Sequence, residues 1–520
     1  MATSNGLAGV SRRGPLRTGT ERLKEAGLGG IMIPLVSTAI LSALLGPVFG
    51  GLDAADSLTG TLLYVLAIHV SLYLYLTYFH LGTVKKRSHL ASIHVPLVLL
   101  VALAGAFKLD SNLTYFLVPF AFGAILLTLL FRTDLAVGFS FAAAALMAPL
   151  YGFEAGPVIL CMAAQLLGIF AVRGTRKRIH VMWACPALAG MNAILAVPYH
   201  FLGLSAASAS LGTEIIYGAG SGILAAILAV GLLPILESVL DITTVFKIQE
   251  LADLDHPLLR NLFLRAPGTY QHSMAVSNLA VTAAEAIGAD WLLCRVGAYF
   301  HDIGKAERPE YFAENQGYGR RSRHENLKPS LSASVIKSHV TQGLKIAKDH
   351  RLPSAICDFI PQHHGTSVIR FFYGKALDTR QVGPESKGEF RHSGPKPQSK
   401  ETAIVMLSDS VEAVSRTLEK PSPSTVEETV REIVRERMLD GDLDESNLTL
   451  RDLNTIAESF IKVLNGVFHA RPEYPKVEEI QAAEKEVTSE SRPRRNGSEK
   501  KKVKGKRKGR ARKPRKTATG

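Results

Sequence analysis

His301-Asp302-Ile303-Gly304-Lys305 sets an imidazole beside a carboxylate, with a lysine three positions on. Neutral imidazole and carboxylate are the usual ligands of borderline and hard divalent cations. Adjacent helical residues point about 100° apart, so such a pair can address two ions. Five residues recur by chance, and the reading depends on what surrounds them. Downstream and upstream, His272, His339, the pair His363-His364 and Asp409 stand at separated points of one helix-patterned stretch. Each histidine alone reads as a hydrogen-bonded or surface residue. Together, with no cysteine in the set, they suit iron, manganese or a similar ion better than a thiolate zinc site.

The helix pattern around these residues is local and readable. Apolar positions recur three and four apart over Ala275–Ile287 and Leu331–Lys348. Ser424-Thr425-Val426-Glu427 has capping-box spacing, and Thr449-Leu450-Arg451-Asp452 predicts a second helix start. Residues 374–400, rich in Gly and Pro, read as a long loop. Upstream, 235–264 keeps helical spacing while gaining acids, with a bend expected where Pro257 interrupts it.

Before that connector the chain changes character. A chain of 520 residues exceeds one core, and its 47% hydrophobic content is unevenly spread. Residues 29–237 are poor in charge and contain eight candidate spans, near 29–51, 59–81, 92–107, 113–131, 134–153, 156–172, 180–204 and 214–237. Arg12, Arg13, Arg17, Arg22 and Lys24 precede the first span. Lys85, Lys86, Arg87, Arg132, Arg173, Arg176, Lys177 and Arg178 fall in every second loop, and the alternate loops contain only Lys108. The positive-inside rule then puts both termini in the cytoplasm. Gly218 and Gly222 have the spacing that brings membrane helices close. His69, His94, His200 and Glu214 read as helix–helix hydrogen-bonding groups.

At the other end, residues 491–520 hold 15 Lys/Arg and one Glu, which leaves 45 basic against 45 acidic residues elsewhere. Basicity therefore belongs to the tail, and anionic lipid or nucleic acid is its expected partner. The four cysteines, Cys161, Cys185, Cys294 and Cys357, form no CxxC pair and suit a reducing compartment.

The chain resembles the HD-superfamily phosphohydrolases and, more narrowly, the membrane-bound cyclic-di-AMP phosphodiesterases of the 7TM receptor–HD family. Besides His301–Lys305, the resemblance is carried by Gly268-Thr269-Tyr270-Gln271-His272-Ser273, Tyr311-Phe312-Ala313-Glu314-Asn315-Gln316, His363-His364-Gly365-Thr366 and Gly394–Glu401 running on to Asp409. The resemblance covers roughly 29–475 and, with the composition of the two ends, gives an all-α chain: a basic N-terminus (1–28), a polytopic helical membrane domain (29–237), connecting helices (238–264), an all-α HD phosphohydrolase domain (265–475) and a basic tail (476–520) whose composition predicts disorder. The resemblance itself implies a bacterial inner-membrane enzyme hydrolysing cyclic di-AMP to pApA with two divalent ions, Fe or Mn. His272, His301, Asp302 and Asp409 would hold one ion; His339, His363 and His364 would hold the second, with Asp302 bridging. Asp302 and Lys305 are the expected catalytic groups. Thr366, Tyr373, Lys396 and Ser399 are candidate substrate contacts, and membrane lipids and a homodimer are the further expected associations. Hydrolysis of cyclic di-GMP or a guanosine polyphosphate, and nucleotide binding without cleavage, are the alternatives. The chain departs from the family pattern in having only loop 52–58 where a large extracellular domain is usual. It also has Arg323-His324-Glu325-Asn326 where the family tends to Asn-Pro-His-Asp.

Overall fold

A computed structural model describes residues 31–48, 54–109, 113–204, 210–317, 321–379, 382–418, 421–468 and 480–481. The basic N-terminus and almost all of the basic tail, with the expectations attached to them, lie outside the described residues. Helix dominates, and the β-pairing among the described residues is the isolated bridge Val368–Arg391.

The first half is a bundle of α1 (Met32–Leu45), α2 (Ala54–Phe79), α3 (Arg87–Leu109), α4 (Phe122–Leu130), α5 (Thr133–Leu150), α6 (Ala155–Val172), α7 (Arg178–Phe201) and α8 (Leu211–Leu240). Six of these, α2, α3 and α5–α8, are long and apolar enough to cross a membrane. The expected span at 113–131 is broken instead. A 3-10 turn covers Tyr115–Leu117, Val118 is extended ahead of Pro119, and α4 begins only at Phe122. Proline disfavours helix in the residue before it and supplies no N–H. Conversely, α3 is longer than expected and runs through Pro96.

Close helix approach occurs where the glycines allow it. A Cβ on Gly218 would lie 2.8 Å from the Asn192 carbonyl oxygen, and one on Gly222 would lie 2.6 Å from that of Leu188, both on α7. Polar pairs also join helices: Ser37 Oγ to His69 Nε2 at 3.1 Å, and His200 Nδ1 to Glu214 Oε2 at 3.1 Å.

The connector has the expected two helices with an interruption before Pro257, and a further break precedes them, at Asp241 in the left-handed region (φ 48°, ψ 48°). α9 (Val245–Leu251) then starts under a Thr244 cap. Pro257 opens α10 (Pro257–Arg265), at a first-turn position whose N–H would have had no helical partner. Arg178 clasps the junction, donating to Glu237 Oε2 (2.7 Å) and Glu250 Oε1 (2.9 Å). Loop, span and connector are thus tied by one guanidinium.

Beyond it lie α11 (Pro267–Ile287), α12 (Trp291–Phe300), α13 (Pro329–Asp349), α14 (Arg370–Asp378), α15 (Lys400–Ser415), α16 (Pro423–Leu439) and α17 (Leu450–Val467). α11 packs on α12, α15 and α17. Residues 403–407 of α15 are wholly buried, which makes it the central helix. Thr449 and Asp452 cap α17 reciprocally at 3.1 Å each, as expected. The cap of α16 falls two residues before the predicted one, because Ser422 rather than Ser424 caps it and Pro423 takes the first helical position. The long loop is also shorter than expected: α14 continues to Asp378, and Pro384–Phe390 is a 3-10 helix.

Candidate metal centre

α12 ends at Phe300, so His301 and Asp302 do not share a continuous helix. His301 is the C-cap, and Asp302 (φ −112°, ψ 16°) leads into the 3-10 turn Ile303–Glu307. That turn lies against α13, on which His339 sits. His363 and His364 follow the one-turn helix Phe359–Gln362, and Asp409 comes from α15. His272 lies on α11, whose start is fixed by a second motif. The Thr269 amide donates to Asn315 Oδ1 at 3.1 Å and its hydroxyl to Glu314 Oε1 at 3.0 Å. The two stretches Gly268–Ser273 and Tyr311–Gln316 are therefore one docked pair.

The fold brings all seven expected ligands together. His272 Nε2 is 3.0 Å from Asp409 Oδ1 and 3.7 Å from Asp302 Oδ2. His301 Nε2 is 3.2 Å from Asp302 Oδ2 and 3.9 Å from Asp409 Oδ1. On the other side, His339 Nε2 and His363 Nε2 stand 3.4 and 3.6 Å from Asp302 Oδ1. His364 Nδ1 is 3.8 Å from Asp409 Oδ2. Asp302 thus turns one oxygen to each of two histidine sets. Three overlapping triads, His272/His301/Asp409, His301/Asp302/His363 and His339/His363/His364, each have donor atoms within 4.8 Å of one another.

The donor chemistry fits a cation. His301, His339 and His363 each direct Nδ1 at a backbone carbonyl of their own turn, Ala298 (2.7 Å), Ile336 (2.6 Å) and Phe359 (3.0 Å). A carbonyl only accepts, so Nδ1 holds the hydrogen and Nε2 presents a lone pair. Those three Nε2 atoms and Asp302 Oδ1 are buried with no hydrogen-bond partner. Unpaired buried acceptors are costly, and acceptors gathered on both sides of Asp302 are what bound cations would satisfy.

Electrostatics sharpen the picture. Burial alone would raise the Asp302 carboxyl, but His301 and Lys305 hold it well below the usual carboxylate range. Asp409 is lowered likewise, chiefly by its hydrogen bond to His272. Burial alone would lower His272; hydrogen bonds to Asp409 and Glu412 outweigh it and push its value up to about 10. Lys305 Nζ lies 2.7 Å from Asp302 Oδ2 and 3.0 Å from Glu314 Oε1, and these acids more than offset the cost of burying it. It therefore stays protonated, as a fixed positive charge.

His363 and His392 are each held at about 3, first by burial and then by the imidazoles crowded around them, with Lys337 and Arg437 adding to this at His392. Between about 3 and the ordinary 6.5 the unfolded chain binds more protons at these sites. Their contribution to stability is therefore present above about pH 6.5 and is lost as pH falls toward about 3. Chelator-treated protein should show a thermal midpoint that drops through this window, and His392→Asn should flatten the drop. An unchanged slope in His392→Asn would remove that histidine from the account.

Three groups escaped the sequence reading. Glu412 hydrogen-bonds His272 Nδ1 and is itself held by Arg416. Glu314 pairs with Lys305, and the His392 ring lies 4.2 Å from that of His364. Glu412 stands three residues after Asp409 on the same helix face, the one signal available in advance. His324 is placed elsewhere, donating Nε2–H to the Tyr311 carbonyl (2.8 Å). Among the candidate substrate contacts, Thr366 accepts Arg391 through its carbonyl (2.9 Å), Tyr373 packs on Phe390, and Lys396 pairs with Asp444 (3.2 Å). The Ser399 hydroxyl caps α15 in a capping box with Thr402.

Residues 56–244 match the family model described as 7TM receptor with intracellular HD hydrolase, and residues 269–414 match the HD domain. Cyclic-di-AMP phosphodiesterase PgpH of Bacillus subtilis (strain 168) is 37% identical over 375 residues, 71% of this chain and 52% of the relative. The protein of the same name from Listeria monocytogenes serotype 1/2a (strain 10403S) is 43% identical over 249 residues, 48% of this chain and 34% of its own length. The chain thus spans about half the length, or less, of these relatives. The crystal structure of the L. monocytogenes phosphodiesterase PgpH HD domain in complex with cyclic-di-AMP is 43% identical, covers 42% of this chain and all of its own, and has a TM-score of 0.40. The chain is thus similar, over residues 56–244, to the 7TM receptors with an intracellular HD hydrolase, and over residues 269–414 to the HD domain, with six of its described helices long and apolar enough to cross a membrane.

Proposed function

We propose that the protein is a metal-dependent phosphodiesterase that hydrolyses cyclic di-AMP to pApA at the cytoplasmic face of a bacterial inner membrane. The observation that carries the reading is Asp302, whose two oxygens face separate histidine sets. His272, His301, Asp302 and Asp409 would hold one divalent ion, and His339, His363 and His364 the second, with Asp302 shared. Imidazole with carboxylate suits iron or manganese. Two such ions, when bound, lower the pKa of water and offset charge on phosphoryl oxygens. The chain's residues do the arranging. Lys305 holds Asp302 Oδ2 in place and keeps a positive charge beside the reacting phosphate. The backbone carbonyls of Ala298, Ile336 and Phe359 hold three imidazoles in the ligating tautomer. Glu412 orients His272 from behind. Adding one water across a P–O3′ bond leaves a 5′-phosphate and frees a 3′-hydroxyl, which makes the linear product. Thr366 and Lys396, beside the His364-Gly365 turn, and Tyr373 are proposed to meet the substrate, while the Ser399 hydroxyl is already engaged in capping.

Cyclic di-AMP is favoured by the names of the two relatives, and orientation by the basic loops on the HD side. Inside-out vesicles containing the full chain and Mn²⁺ should convert added cyclic di-AMP to pApA without detergent, whereas right-side-out vesicles should require it. Turnover of cyclic di-GMP alone would sink the substrate assignment. Binding without turnover in any metal would favour the receptor reading.

A further inference from the structure

The boundary between the membrane bundle and the HD domain contains a polar cleft that the hydrolase reading leaves unused. It has a volume of about 530 Å³ and is walled by the α4–α5 turn, the loop after α6 and the start of α9. Arg132, Arg173 and Arg176 line it, against one acid, Asp134. Arg132 is 3.3 Å from Asp134, and that pair is solvent-exposed, so it contributes little. Arg176 lies 5.6 Å over the Trp291 ring of the HD domain. At the same junction Glu237 and Glu250 are already engaged, both held by Arg178. Arg173 has no carboxylate partner among the described residues. The cleft therefore has surplus positive charge, presented as guanidinium groups that match phosphate oxygens in pairs.

Position narrows the source of the anion. Val172 ends one membrane-length helix and Thr133 begins another, so the arginines stand at the depth of lipid headgroups. Val245 and Phe246 give the opposite wall an apolar surface. We propose that this cleft binds a phosphate-bearing group, supplied by an anionic phospholipid headgroup. Because α9 is the covalent link from α8 to the HD domain, an occupied cleft braces that link against the bundle.

The test uses the purified full chain, with its basic tail present in every variant. In nanodiscs of phosphatidylcholine with phosphatidylglycerol, native mass spectrometry of the released protein should find phosphatidylglycerol retained in preference. Each arginine removed should cut that retention by about five-fold, and R132Q/R173Q/R176Q should reduce the preference to the remainder contributed by the basic tail. R132K/R173K/R176K, which keeps the charge, should restore much of it and serves as the folded comparator by circular dichroism. Wild-type-like retention in the triple Gln variant, or no preference in the wild type, overturns the proposal. In lipid-free detergent, inorganic phosphate provides the second arm. If it raises the wild-type thermal midpoint but not that of the triple Gln variant, and phosphatidylglycerol is not preferred, the phosphate site stands and lipid as its source is overturned.

Discussion

Asp302→Ala should lower turnover of cyclic di-AMP by about 10³-fold or more, the scale seen when a group at the reacting centre is removed. Asp302 is the carboxylate that faces both histidine sets, and its side chain is 1% exposed, so water cannot replace it freely. Its removal takes a shared ligand from both proposed ions, and bound metal measured by inductively coupled plasma mass spectrometry should fall together with activity. The variant should still fold. Lys305, which would otherwise be a buried charge without a partner, retains Glu314 at 3.0 Å. Wild-type turnover in a folded Asp302→Ala protein would end the assignment of this cluster as the active site. Loss of activity with full metal content would confine Asp302 to a role on the substrate side.

Gly304→Ala should also be damaging, without touching a ligand. A Cβ there would sit 1.9 Å from the His339 carbonyl oxygen and 2.6 Å from the Gly343 nitrogen. Both are backbone atoms of α13 and cannot swing aside, so the 3-10 turn after Asp302 must separate from the helix holding His339. Overpacking of this kind costs about 3 kcal/mol. The separation also disturbs the 3.4 Å approach of His339 to Asp302, and a misplacement of about 1 Å can cost about 10²-fold in rate. Gly374→Ala is the control. It lies within α14 with nothing within 4 Å of its would-be Cβ, and should be neutral or stabilise by about 0.5–1 kcal/mol. Thermal unfolding and turnover of the two variants side by side test the claim. If Gly304→Ala matches Gly374→Ala, contact between this turn and α13 does not control the site.

The glycine of His301–Lys305 illustrates how far the linear reading reached. The motif was visible as a possible ligand pair, but its glycine had no reason until α13 was seen lying on it. The same holds for Glu412: Asp409 was legible through its motif, whereas the acid behind His272 comes from a helix 140 positions away. Pro257 shows a partial reading. The helical pattern does break directly before the proline, between Leu251 and Pro257, but a second break at Asp241 carries no such marker.

What the sequence determined by itself is whatever depends on near neighbours along the chain. Apolar runs of membrane length, the asymmetry of basic loops, the reciprocal Thr449/Asp452 cap and the histidine and aspartate positions proposed as ligands are of this kind. Tertiary structure alone decided how those side chains meet. His272 and Asp409, 137 residues apart, come within 3.0 Å because α11 packs on α15. The division of Asp302 between two histidine sets, the lysine locked between two acids and the arginine-lined cleft at the HD boundary likewise arise from helices crossing in space. Periodicity and capping act over a few residues, whereas burial, shared ligands and charge balance are set by whatever the fold brings opposite.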